Sequence, residues 1–207
     1  MAYPTVDKPY GFRPVNLLGG QVFAGSTRQI PIESGWGTAI FFGDVVLMSA
    51  SGCVVGGGTT VNTTTTVQVA GVFMGCSYIN SAGQRIYAQY YPASTTGTPD
   101  SANSIQAYVA DDPDLVMRCA IVSGTTVVAQ ASRASLVGGN AQLVNNVGST
   151  ITGDSQQAVL NAAGTTSTYT FKVVDVVPDP APAAGSFVEV LVTWTQGVHI
   201  YRGATGI

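Results

Sequence analysis

Apolar residues in this chain recur at intervals of two, in short bursts broken by glycine, proline and polar turns. Nowhere do they hold the interval of three or four that marks a long amphipathic helix. The clearest burst covers residues 66–79, rich in Val, Phe and Tyr as strands are. It meets residues 85–91 across Asn80-Ser81-Ala82-Gly83-Gln84, a loop of suitable length for a β-hairpin. In the second arm Arg85, Tyr87, Gln89 and Tyr91 fall on one face, and Ile86, Ala88 and Tyr90 on the other. Further strands are predicted at 29–32, 39–42, 44–48, 105–110, 115–121, 169–177 and 187–195. The last two are joined by the stiff run Pro178-Asp179-Pro180-Ala181-Pro182. Residues 127–136 carry enough Ala and Gln for one or two helical turns, and 138–164 read as loops with short strands. Many short strands, turn signals between them and no fixed repeat predict an all-β fold, a compact β-barrel or a jelly-roll-like β-sandwich.

The first twenty residues break this pattern. Pro4, Pro9 and Pro14 preclude a helix and favour an extended path. Yet the stretch also carries Tyr3, Tyr10, Phe12, Val15, Leu17 and Leu18, which a solvated linker would not need. An extended N-terminal arm over 1–20, laid on another surface, is the expectation. A β-rich domain over 21–207 follows, with a Gly/Ser/Thr-rich insertion around 123–164. Arg13 beside Phe12 and Arg202 beside Tyr201 are interface anchors or ordinary surface arginines. His199, the sole histidine, has a structural or an interface role. The candidate partner-contact residues are therefore Tyr3, Tyr10, Phe12, Arg13, Leu17, Leu18, His199, Tyr201 and Arg202.

Composition sharpens the picture at one point. Hydrophobic residues make up 45%, ample for a core, but charged residues only 9%, where about 25% is usual. No run approaches the roughly 20 apolar residues of a membrane span, and the opening shows no signal pattern. Bulk disorder is excluded by the plentiful Val, Ile, Phe and Tyr and a net charge of only -3. The surface is then built of Thr, Ser, Asn, Gln and Gly, uncharged enough for close packing against neighbours. Between Val45 and Gln84 no Asp, Glu, Lys or Arg occurs. Exposed at a sheet edge, that run would invite aggregation, so barrel closure or subunit packing must cover it, which favours an oligomer.

Chemistry is sparse. Acyl-transfer triads need a base beside the nucleophile, and a zinc site needs three or four N or S ligands. One His and three scattered cysteines, Cys53, Cys76 and Cys119, supply neither pattern. The cysteines are three free thiols, or one disulfide and one thiol, in a chain made in a reducing cytoplasm. The run Asp111-Asp112-Pro113-Asp114 is a capped turn, a cation site or a salt-bridge contact with a partner. Gly56-Gly57-Gly58-Thr59-Thr60 lacks the Gly-Lys-Ser/Thr of a phosphate loop. The eight basic residues form no stripe. No enzyme activity, metal, cofactor, nucleic acid or membrane is expected.

Several motifs carry a family resemblance. Asp7-Lys8-Pro9-Tyr10-Gly11-Phe12-Arg13-Pro14-Val15 resembles the D-x-P-x-G-F-R-P-V opening of a family of small tailed-bacteriophage virion proteins, the capsid cement or head decoration proteins. Ile30-Pro31-Ile32, Gly43-Asp44-Val45-Val46, Tyr91-Pro92-Ala93-Ser94 and Tyr108-Val109-Ala110-Asp111-Asp112-Pro113-Asp114 are similar in the same order. The closing run from Val198-His199-Ile200-Tyr201-Arg202 to Ile207 is similar too, whereas 123–164 departs from the pattern. The resemblance implies a structural protein on the outside of the expanded capsid, bridging neighbouring major capsid protein subunits and assembled in the bacterial cytoplasm. It also implies self-association, as a homotrimer. The alternative is a tail or fibre component that contacts a host receptor.

Overall fold

The structure is a computed structural model and describes residues 8–33, 35–58, 68–80, 82–93, 105–123, 126–127, 133–177, 188–195 and 197–203. The strands run in the order β1 (Arg13–Leu17), β2 (Arg28–Pro31), β3 (Val45–Met48), β4 (Val54–Gly56), β5 (Val69–Ile79), β6 (Arg85–Ala88), β7 (Gln106–Ala110), β8 (Leu115–Ser123) and β9 (Thr126–Val127). One helical turn, α1 (Arg133–Leu136), precedes β10 (Asn140–Ala141), β11 (Leu143–Val144), β12 (Ala158–Leu160), β13 (Phe171–Val176) and β14 (Glu189–Trp194). The fold is all-β.

Residues 28–110 curl into a nearly closed barrel. Its strand order is β2-β7-β5-β3-β4, with β6 paired to β5. A parallel bridge between Ile32 and Val54 brings the two outer strands together. The interior is apolar, filled by Ile30, Ile40, Phe73, Tyr91 and Val109 among others. Closure needs curvature, which long β5 gains from Gly71 and Gly75 (φ 152° and 118°), beside slips in its register with β3 and β7. The hairpin read from the sequence is present, with Ile79 opposite Arg85 and Cys76 opposite Ala88. In β6, Arg85 and Tyr87 are exposed while Ile86 and Ala88 are partly covered, as the alternation requires. Tyr91 leaves that pattern, turning fully inward with its hydroxyl donating to the Trp36 carbonyl (3.1 Å).

The second sheet has the order β10-β13-β14-β8-β12-β11, with β1 and β9 also on β8. It packs over the barrel's outside. Their shared core contains Val45, Val69 and Val72 from the barrel and Phe12, Met117, Phe171, Val192 and Trp194 from the sheet. Within the charge-free run, β5 is buried along nearly its whole length, one face inside the barrel and one beneath the sheet.

One expectation needs correction. From Arg13 to Leu17 the N-terminal stretch is extended, but it is not an arm laid on another surface. β1 pairs antiparallel with β8, Arg13 opposite Arg118 and Leu17 opposite Leu115. Pro14 is tolerated within β1 because it sits beside a register slip. Within 123–164 the short strands expected there are present. β10, β11 and β12 all belong to the sheet, and β12 lies parallel to β8. Tyr3, the 178–182 connection and the last four residues lie outside the described residues.

Candidate functional site

The N-terminal and C-terminal motifs are joined through the core by a file of five rings. Phe12 stacks on Phe171 (centroids 4.5 Å apart) and Phe171 on Trp194 (5.4 Å). Trp194 then meets His199 (5.9 Å), which meets Tyr201 (5.2 Å). Phe12, Phe171 and His199 are fully buried. Three of the nine candidate contact residues, Phe12, His199 and Tyr201, are thus rings of this file.

At the N-terminal end, the Tyr10 hydroxyl and the Arg118 guanidinium both bond Glu189. Burial and the neighbouring carboxylate push the Tyr10 phenol far above its ordinary pKa, so it stays a donor. Arg13 bonds Asp154 (2.7 Å) and lies over the Phe42 ring (4.3 Å). Between them, Gly11 is forced by space: a Cβ there would fall 2.5 Å from that of Ser155. The Phe12 N–H donates to the Gly43 carbonyl (2.9 Å). Buried Gln157 accepts from the Val45 N–H (2.8 Å) and donates to Asn145 (2.9 Å). Two of the resembling motifs, around Gly11 and around Gly43, are therefore one packed knot.

At the C-terminal end the acidic run is a capped turn, and its ion pairs are with its own chain. The Asp114 N–H donates to Asp112 Oδ1 (2.8 Å). Arg28 pairs with Asp111 (2.9 Å), which also accepts from the Tyr201 hydroxyl (3.2 Å), and Arg202 pairs with Asp114 (2.6 Å). Arg28 also lies over the Tyr201 ring (5.0 Å). The turn carries the chain from barrel (β7) to sheet (β8), and the C-terminal segment straps it down.

His199 is held neutral. The Tyr201 N–H donates to Nδ1 (3.3 Å), which places the ring proton on Nε2. Burial lowers its pKa to about 4, against the opposing pull of Asp111, the Ala70 backbone and Asp112. No well-formed hydrogen bond reaches Nε2. Asp44 moves the other way: burial raises it to about 6, although the Ser155 hydroxyl and the Phe41 N–H (2.8 Å) favour the carboxylate. The signs oppose. As pH falls from 6.5 to 4 the unfolded chain takes a proton that native His199 refuses, and about 3 kcal/mol of stability is lost. As pH falls from 6 to 3.8 native Asp44 takes a proton the unfolded chain does not, and a similar amount is gained. Asp44→Asn is therefore expected to lose about 3 kcal/mol relative to wild type between pH 6.5 and 4, and His199→Gln to gain about as much. Urea unfolding at pH 7, 5 and 4 reads both, and parallel curves for all three proteins would refute the compensation.

Two depressions meet at Pro113. The smaller, about 380 Å³, is lined by Val22, Phe23, Arg28, Asp112 and Tyr201. The larger, about 1150 Å³, runs past Leu18, Val137, Lys172, Thr193, Trp194 and His199. Their rim exposes apolar side chains: Val22 is 76% exposed, Leu18 50% and Tyr201 46%. The sequence reading picked out Leu18 and Tyr201 but missed Val22, Lys172 and Thr193. A signal for the last two was present, since Lys172 and Thr193 alternate with the core residues Phe171 and Trp194. Among the described residues no group of three His, Cys, Asp or Glu could hold a metal ion, and Cys53, Cys76 and Cys119 are free thiols. No protein-family model, curated protein or solved structure matches the chain.

Proposed function

We propose that this protein is a non-enzymatic structural component of a tailed-phage particle, a cement protein on the outside of the expanded capsid. It bridges neighbouring major capsid protein subunits, without metal or cofactor, and is assembled in the bacterial cytoplasm. Self-association into a trimer gives each particle-bound unit several simultaneous contacts, and avidity multiplies weak ones. The ordered motifs that resemble the cement family favour this reading, and so does a chain with 9% charged residues. The observation that carries it furthest is the apolar rim of Leu18, Val22 and Tyr201 about Pro113, a patch of the kind that marks protein contacts.

The rim replaces the N-terminal arm as the clamp, because Phe12 and Arg13 are already used within the chain. Co-sedimentation with expanded, undecorated shells tests the proposal, with unexpanded procapsids as comparison. Saturable binding to expanded shells alone, in many copies per shell, is expected. Val22→Glu, at an exposed position, is expected to weaken binding at least tenfold while leaving the unfolding midpoint in place. Absence of binding to either shell would overturn the reading and turn attention to tail or fibre assembly.

A further inference from the structure

The wall of the larger groove holds polar atoms that its own fold does not satisfy. Cross-strand register places Asn140, Lys172 and Thr193 in one row across β10, β13 and β14. Thr193 and Thr195 are only 4% and 7% exposed, yet neither hydroxyl has a hydrogen-bond partner. The Trp194 indole N–H, also buried, has none either. Unpaired buried polar groups destabilise a protein, and valine would fill the space of threonine without that penalty. Lys172 is exposed, and no carboxylate pairs with it among the described residues. Arg202, at the far side, is held by Asp114. The groove is thus rich in donors, carries one uncommitted cation and has apolar flanks at Leu18 and Val137. At about 1150 Å³ it exceeds the roughly 300–1,000 Å³ of a small-molecule cleft and can take a length of chain.

We propose that this groove seats an extended acidic peptide segment of a partner protein. A carboxylate of the segment meets the Lys172 ammonium, the Thr193 and Thr195 hydroxyls donate to its acceptor oxygens, and its apolar side chains rest on Leu18 and Val137. Only the source of the segment, a major capsid protein subunit, rests on the cement reading. Charge complementarity selects an acidic occupant over face-to-face packing with a second copy, because the row formed by Asn140, Lys172 and Thr193 contains no carboxylate and would set Lys172 against Lys172.

The probe is an acetylated, amidated octapeptide of alternating valine and glutamate, titrated into the full-length protein by calorimetry. Its valine–glutamine counterpart is the control. Saturable binding of the glutamate peptide alone is expected, weakened at least tenfold by Lys172→Gln and by Thr193→Val. Thr193→Val is also expected to raise Tm by about 2–4 °C, since an unsatisfied hydroxyl is removed. Equal binding of both peptides, or binding unchanged by Lys172→Gln, would overturn the proposal. So would a Thr193→Val protein that melts lower and binds as before, because the hydroxyl would then be structural. Shell co-sedimentation separates the two proposals. Wild type and Lys172→Gln binding shells equally would sink the groove and leave the cement reading standing. Peptide binding with no shell binding would do the reverse.

Discussion

Replacing Phe12 by alanine is expected to cost about 3–5 kcal/mol of folding free energy, enough to unfold many domains of this size. The ring is fully buried, stacks on Phe171 and belongs to the core shared by barrel and sheet. Alanine would leave a cavity between the two layers, where neither can collapse without moving the other. Deleting residues 1–20 removes β1 as well and uncovers one edge of β8. Such a truncation is expected to give an unfolded or aggregating chain, rather than a folded one that has merely lost its grip on a partner. Chemical denaturation of Phe12→Ala and circular dichroism of the truncated chain read these outcomes. A truncated protein with native spectra and a cooperative melt would mean that β1 is dispensable. Phe12→Leu, which keeps most of the apolar volume, is expected to recover the larger part of the loss.

Gly71→Ala carries the second large effect. A Cβ on Gly71 would fall 2.2 Å from the Ala110 carbonyl oxygen and 2.8 Å from a Val109 methyl, inside the β5–β7 pairing. Backbone cannot swing aside as a long side chain can, so the two strands must part or β5 must straighten. Either response opens the barrel at its most buried strand. A loss of about 4 kcal/mol or more is expected, with insoluble expression as its extreme form. A stable, soluble Gly71→Ala protein with an unfolding midpoint near that of wild type would show that the close approach is not required.

The sequence disclosed elements better than destinations. The β5–β6 hairpin was legible because both partners and their turn lie within one short segment. β13 and β14 were legible from alternation, Phe171 and Val173 inward against Lys172 outward. The fate of the N-terminal motif was not legible. Proline among aromatics says that the chain is extended and needs a surface, but not that the surface is its own β8, about a hundred residues downstream. Polar residues misled in the middle region. Ser155 and Gln157 look like loop residues, yet both are buried, and Gln157 serves the Val45 N–H. Hydropathy gives no hint of a polar side chain buried to satisfy backbone. The site suffered the same way. Tyr10, Arg13 and Arg202 were recognised as contact-forming residues, but their contacts are internal. The groove depends on strand register, which no local pattern in this chain specifies.

The two layers also differ in how their parts are spread along the chain, and this sets a timetable for synthesis. Among the described residues, the interior of the barrel draws only on positions between Ile30 and Val109. The sheet needs β1 near one end and β14 near the other, and the Tyr10–Glu189 bond spans 179 positions. At roughly 5–20 residues per second, the ribosome delivers β14 on the order of ten seconds after β7. During that interval the barrel has all its strands while β8 still lacks its β14 neighbour. The first half of the chain can therefore fold while still attached to the ribosome. The second layer closes only when the last strand emerges, and until then the apolar outer face of the barrel is the surface most in need of a chaperone.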